Sequence, residues 1–239
     1  MDNLQIRNTG FSASALKLIA CIFMAIDHTG AYLFPQIIWF RIVGRIAFPI
    51  FAYFIAEGCA YTRNKTKRFL LLFLPGILFE AVCLIVLKKH YGNIFLTFSL
   101  SVLLIYVNQW LRDVYYSGNR GKTVLGRLVF FVTLAGVWLI NRVYHVEYGF
   151  FGVLVPLFAA FFEGKDKQDL RLFSFSVGLV ILSLKMGLSN VQVWSLMAVP
   201  LLALYNGKPG TRKFKYGFYI FYPVHLIIIW ALGFVLQNV

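Results

Sequence analysis

The chain has 239 residues, of which 60% are hydrophobic and 13% charged, with a formal net charge of +14. Soluble domains carry about 25% charged residues, so this composition, with a mean hydropathy of +0.75, excludes a water-soluble globule and reads as a polytopic membrane protein. The positive excess reads as basic loops on one membrane face and not as a nucleic-acid surface. Cys21, Cys59 and Cys83 lie in apolar segments with neither CxxC nor Cys/His ligand spacing. Neither a disulfide framework nor a metal site is therefore expected.

Residues 1–13 form a polar leader without a cleavable-signal pattern, and Ser12 or Ser14 is placed to cap the first helix. Apolar runs long enough to cross a bilayer, or nearly so, follow at 14–34, 38–60, 68–87, 93–111, 124–141, 148–162, 170–185, 191–205 and 214–237. The expected fold is all-α, a membrane helix bundle of about nine spans, with eight to ten allowed by the three short runs, in a single domain over 1–239. Lys and Arg in the loops after spans 2, 4, 6 and 8 number fifteen, against four after spans 1, 3, 5 and 7. By the positive-inside rule the N-terminus is cytoplasmic and, with nine spans, the C-terminus is outside. No internal repeat is visible and no loop is long enough for a soluble catalytic domain. Chemistry is thus expected within the bilayer or at its edge.

The first two spans form a hydrophobic hairpin turning at Pro35-Gln36, and Asp27, His28, Arg41, Arg45 and Glu57 lie inside it. Ionisable groups at membrane depth are costly and usually face a bundle interior or a cavity. At about 1.5 Å per residue, antiparallel packing brings His28 and Arg45 to one level, about 10–12 Å below a surface. His28 suits a general base; the alternative is a histidine hydrogen-bonded for packing. Adjacent helical positions point about 100° apart, so Asp27 is expected to pair with a span-2 arginine and not with His28. Arg41 and Arg45 share a face and suit a forked grip on phosphate or carboxylate. For Arg41 the competing reading is snorkelling to the outer surface. Pro49, four residues after Arg45, is expected to kink the helix there. Glu57 lies near the cytoplasmic end, where it can pair with the Arg63–Arg68 cluster.

Glu80 falls near the middle of span 3 as a lone carboxylate needing a partner or a proton. Asn93 opens span 4 as a cap, with Thr97 one turn on, and Glu147-Tyr148-Gly149 opens span 6. Phe221-Tyr222-Pro223-Val224-His225 sets a second histidine at mid-depth in span 9, with structural and catalytic roles both open. Lys208, Arg212 and Lys213 belong to a Gly-containing basic loop. It lacks P-loop spacing, and it either gathers a nucleotide's phosphates or serves as topogenic charge.

The motifs Leu16–Ala20, Met24-Ala25-Ile26-Asp27-His28-Thr29-Gly30 and Gly44-Arg45-Ile46-Ala47-Phe48-Pro49 resemble the TraX family of integral membrane proteins. Glu57-Gly58, Tyr61–Asn64, Asn93–Leu100, Tyr148–Leu154 and Phe218–Leu226 continue the resemblance over nearly the whole chain. At span 3 the chain has Phe79-Glu80-Ala81 where a Gln-x-Pro-like motif is common in the family. The family is named for an enzyme that N-acetylates pilin, and it is similar to the wider transmembrane acyltransferases. The resemblance implies a bacterial cell-membrane acetyltransferase with acetyl-CoA as donor and no metal. It implies His28 as catalytic base or acetyl carrier, accompanied by Asp27. Arg41, Arg45, Glu80, Asn93, Tyr148, Tyr222, His225, Lys208, Arg212 and Lys213 are the candidate substrate- or CoA-binding residues. The acceptor is left open among small molecules, glycans and peptide N-termini. A proton-coupled transporter using Asp27, His28, Glu80 and His225 as a relay is the alternative, although the repeat that many transporters show is missing. A third reading is a structural part of a secretion or conjugation machine.

Overall fold

A computed structural model describes residues 10–211 and 217–237. Every regular element among them is helical: α1 (Ala13–Tyr32), α2 (Ile38–Gly44), α3 (Ala47–Tyr61), α4 (Lys65–Leu87), α5 (Ile94–Tyr116), α6 (Arg120–Tyr144), α7 (Gly149–Ala160), α8 (Gln168–Met186), α9 (Ala198–Ala203) and α10 (Gly217–Gln237). Short 3-10 segments cover Lys165–Lys167 and Val191–Met197. Among the described residues, six stretches are long and apolar enough to cross a membrane: Ala13–Tyr32, Ile38–Tyr61, Lys65–Leu87, Ile94–Tyr116, Arg120–Tyr144 and Gly217–Leu236. Gly149–Ala160 and Val191–Ala203 are shorter apolar helices. Large apolar side chains such as Leu78, Ile85, Phe131, Val143 and Phe234 are exposed, as expected of helices solvated by lipid.

The chain packs as two compact units. One is the described part of Met1–Phe54 together with Gly164–Val239, and the other is Ile55–Glu163. In the first unit, α1 begins where its free backbone donors find acceptors. Ser12 is the N-cap and its side chain accepts from Ala15 N, while Ala13 N and Ser14 N donate to the carbonyls of Lys208 and Pro209 at 2.9 and 3.2 Å. The first turn of a helix otherwise leaves such donors unsatisfied. Phe11 and Tyr205 form an isolated parallel bridge beside it.

The hairpin after α1 turns as expected, with Ile37 N donating to Phe34 O at 3.0 Å across Pro35-Gln36. α2 returns against α1. Its closeness depends on Gly44, where any Cβ would collide with the Cα and Cβ of Asp27. The kink expected at Arg45 is a two-residue interruption, within which Arg45 N still donates to Arg41 O at 3.2 Å. α2 ends at Gly44 and α3 starts at Ala47. Pro49 sits in the first turn of α3, where its missing N–H is tolerated and its ring blocks a continuous helix through Arg45. α10 packs on α1, and the 3-10 segment Val191–Met197 packs on α2 and α8.

The second unit is built on α5, which packs against α4, α6 and α7. Asn93 caps α5, accepting from Phe95 N and Leu96 N at 3.1 and 3.3 Å, and donates to Gly76 O of α4 at 3.0 Å. Thr97 Oγ1 donates to Glu147 O and Ser101 Oγ to Val153 O, both at 2.8 Å. These bonds tie α5 to α7 and the loop before it. Glu80 corrects one expectation: it is no lone carboxylate. It accepts from Tyr91 N and Gly92 N at 3.1 Å each and meets His90 Nδ1 at 3.1 Å. Two turns from the end of α4, its side chain reaches the α4–α5 loop, whose backbone donors fix it.

Candidate functional site

The buried polar groups of the first unit gather around α1. His28 Nδ1 lies 2.7 Å from His225 Nε2 of α10, and His225 Nδ1 lies 2.7 Å from the carbonyl oxygen of Phe221. Both histidines are buried. These contacts determine the tautomers. A carbonyl only accepts, so His225 Nδ1 carries the hydrogen. In a neutral ring Nε2 is then an acceptor, so His28 must donate from Nδ1. The lone pair of the pair's free end is therefore His28 Nε2. One ring nitrogen thus sets the other's protonation through its hydrogen bond.

Aromatic rings fix this orientation. Phe221 stacks on His225 with centroids 4.8 Å apart and an interplanar angle of 9°. Tyr222 meets His28 edge-on at 6.4 Å, and Tyr32 stands 6.3 Å from His28. Trp230 backs Tyr32 at 6.0 Å. An apolar groove of about 610 Å³ runs along Leu18, Cys21, Ile22 and Thr29 of α1 and Phe218 and Phe221 of α10, the last being the ring stacked on His225.

Next to His28 the charges are paired. Arg45 donates to Asp27 Oδ1 from Nε at 3.2 Å and from Nη2 at 2.6 Å, and Nη2 also contacts Oδ2. Arg41 Nη1 donates to Asp27 Oδ2 at 2.7 Å and to its backbone oxygen at 3.2 Å. The forked grip expected for a substrate anion thus closes on Asp27. The Asp27 side chain bonds arginines of the returning segment, as the 100° helical offset implied. The Arg45 side chain is 9% exposed and that of Arg41 28%, so Arg41 is the more accessible cation. Arg45 Nη1 also reaches Gln192 Oε1 at 3.4 Å.

His28, Asp27, Arg41, Arg45, Tyr222 and His225 therefore belong to one unit and one cluster. Glu80, Asn93 and Tyr148 belong to the other unit. There Glu80 holds the α4–α5 loop, Asn93 caps α5 and bonds Gly76 O of α4, and Tyr148 is the left-handed N-cap of α7 with φ 62°. Lys208 lies in the loop that caps α1, its carbonyl accepting from Ala13 N. Arg212 and Lys213 lie outside the described residues. The sequence reading missed Gln192 and Tyr32. Tyr32 follows His28 by four positions, the spacing that puts two side chains on one helical face. Gln192 gave only the signal of an uncharged polar residue opening an apolar run.

A family model described as TraX protein matches residues 12–233. The chain is 24% identical over 257 residues to a protein named "Probable fimbrial assembly protein FimC, serogroup H1" from Dichelobacter nodosus, covering 97% of this chain and 99% of that one. It is 29% identical over 162 residues to an uncharacterized protein of Rickettsia prowazekii (strain Madrid E), covering 67% of this chain and 59% of that one. No solved structure matches.

Proposed function

The chain belongs to the TraX family, and from that premise we propose that it is a membrane-embedded acetyltransferase moving an acetyl group from acetyl-CoA to an amine or hydroxyl acceptor. The observation that carries the reading is the hydrogen-bonded series from the Phe221 carbonyl through His225 to His28, which leaves His28 Nε2 as its basic end.

In this reading Nε2 removes the proton of the acceptor's amine or hydroxyl as that atom attacks the thioester carbonyl carbon. The carbon–sulfur bond breaks, and the proton on His28 passes to the departing CoA thiolate. His225 stabilises the transient imidazolium by accepting from Nδ1, as the carboxylate does in a catalytic triad. A covalent variant has Nε2 attack the thioester carbonyl carbon and expel the CoA thiolate; the acceptor then attacks the acetyl carbon, the N–C bond to His28 breaks, and the acceptor's proton goes to the thiolate. Arg41, the more accessible of the two arginines, is assigned to the developing oxyanion. Asp27 holds both arginines in place.

The same reading has nine spans in the bacterial cytoplasmic membrane with the N-terminus inside, supported by the fifteen-to-four loop charge asymmetry. The CoA donor then enters from the cytoplasm and the acceptor, a peptide N-terminus or a sugar, is displayed outside. The fimbrial-assembly name of the Dichelobacter nodosus relative favours an acceptor bound for the cell surface.

The test is acetyl-CoA binding and slow hydrolysis by the detergent-purified protein, wild type beside His28→Ala. Saturable binding with turnover lost in the variant supports the reading. No binding by folded wild-type protein overturns it, and gradient-driven uptake in proteoliposomes would then support a proton-coupled transporter.

A further inference from the structure

We infer that Gln192 and Ser195 form a niche for a carbonyl oxygen of the acyl donor, an inference that rests on the acetyltransferase reading. Both residues are fully buried, and both leave a polar atom without a partner, Gln192 Nε2 and Ser195 Oγ. Buried polar groups are almost always satisfied, so each exception calls for a cause.

The amide of Gln192 cannot relieve its vacancy by flipping. Arg45 Nη1 is a donor and holds Oε1, which sends the two Nε2 hydrogens elsewhere. The backbone of Gln192 is already engaged: its N–H donates to Asn190 Oδ1 at 2.9 Å and its carbonyl accepts from Ser183 Oγ at 3.5 Å. Ser195 is equally out of pattern. Ser99, Ser101 and Ser176 donate to carbonyls three or four residues back, at 2.8–3.0 Å, the usual relief for a helical serine. Ser195 does not.

The two residues are three apart in the 3-10 segment Val191–Met197, and in that geometry positions i and i+3 eclipse. One face of the segment therefore presents an amide donor and a hydroxyl together, beside the guanidinium of Arg45. The Arg45 guanidinium already faces the carboxylate of Asp27, which it shares with Arg41, and the two unpartnered groups of the niche, an amide and a hydroxyl, are themselves uncharged. That chemistry suits a neutral carbonyl oxygen better than a phosphate or carboxylate. Acetyl-CoA carries such oxygens in its thioester and in the two amides of its arm.

The experiment measures acetyl-CoA and CoA affinity by calorimetry, together with unliganded thermal stability, for wild type, Gln192→Glu and Ser195→Ala in detergent. The glutamate keeps an acceptor for Arg45 and removes the amide donor, and the alanine removes only the hydroxyl. Each variant is expected to weaken acetyl-CoA binding about tenfold, equivalent to about 1.4 kcal/mol, with Ser195→Ala as stable as wild type. Loss of affinity for acetyl-CoA alone assigns the niche to the thioester carbonyl. Equal loss for CoA assigns it to an amide carbonyl of the arm. Unchanged affinities for both ligands, with wild type binding normally, overturn the inference and leave a buried water as the occupant. Failure of wild type to bind acetyl-CoA overturns this inference together with the reading it rests on.

Discussion

Removing the carboxylate of Asp27 is expected to be among the most damaging single changes in the first unit. Asp27 is buried and accepts from two guanidiniums, three times from Arg45 and once from Arg41 at 2.7 Å. Asp27→Ala removes the carboxylate that faces the buried Arg45, and breaking a buried pair from one side costs about 3–5 kcal/mol. Arg45→Ala is expected at the lower end of that range, because Asp27 keeps Arg41. Arg41→Ala removes a partner whose side chain is 28% exposed, and a loss of about 1 kcal/mol is expected. The assay is reversible unfolding in mixed detergent–SDS micelles followed by tryptophan fluorescence. A double-mutant cycle with Asp27→Ala and Arg45→Met isolates the pair, and a coupling above about 1 kcal/mol is expected for directly contacting charges. Equal losses for Arg41→Ala and Arg45→Ala, or additivity in the cycle, would refute the assignment of Asp27 as the shared anchor.

Three further outcomes follow from the geometry. His225→Ala removes the acceptor of His28 Nδ1 and is expected to lower acetyl-CoA turnover by about 10²–10³, within the range for positioned acid–base groups, with acetyl-CoA affinity changed less than about twofold; stopped-flow kinetics and calorimetry measure the two separately. Gly44→Ala sets a methyl against the backbone of Asp27 and is expected to destabilise by about 1–3 kcal/mol, the cost of overpacking, read in the same unfolding assay. Glu80→Gln replaces the carboxylate that the backbone donors of the α4–α5 loop contact. Amide exchange at Tyr91 and Gly92 is expected to accelerate, and protection unchanged from wild type would remove Glu80 from that role.

Local chemistry made much of this readable from the chain. Ser12 and Asn93 are caps because a short polar side chain stands before an apolar run. The Pro35-Gln36 turn separates two such runs, and the pairing of Asp27 with span-2 arginines follows from helical geometry and a common depth. What escaped was set by contacts distant in sequence. His225 lies 197 residues from His28, and nothing in the motif around it names its partner. Gln192 lies 147 residues from Arg45 and carries no charge to draw attention at membrane depth. Glu80 was read by its position along a helix, but the length of its side chain and the free N–H groups of the following loop decide its partners. The interruption at Arg45 lies where Pro49 places the expected kink, four residues ahead of the proline.

The first unit is assembled from the two ends of the chain, with the second unit inserted between them. This imposes an order on biogenesis. When α1 and α2 leave the ribosome, the partners of His28 and Arg45 on α10 and the Val191–Met197 segment have yet to be made. Asp27 and Arg45 can pair within the nascent hairpin, so this buried ion pair forms at once. His28 must wait for the last helix. The inserted unit draws on contiguous sequence and is able to fold during that delay. The hydrogen bond that orients His28 therefore arrives only with α10, and a chain cut short before His225 would lack it.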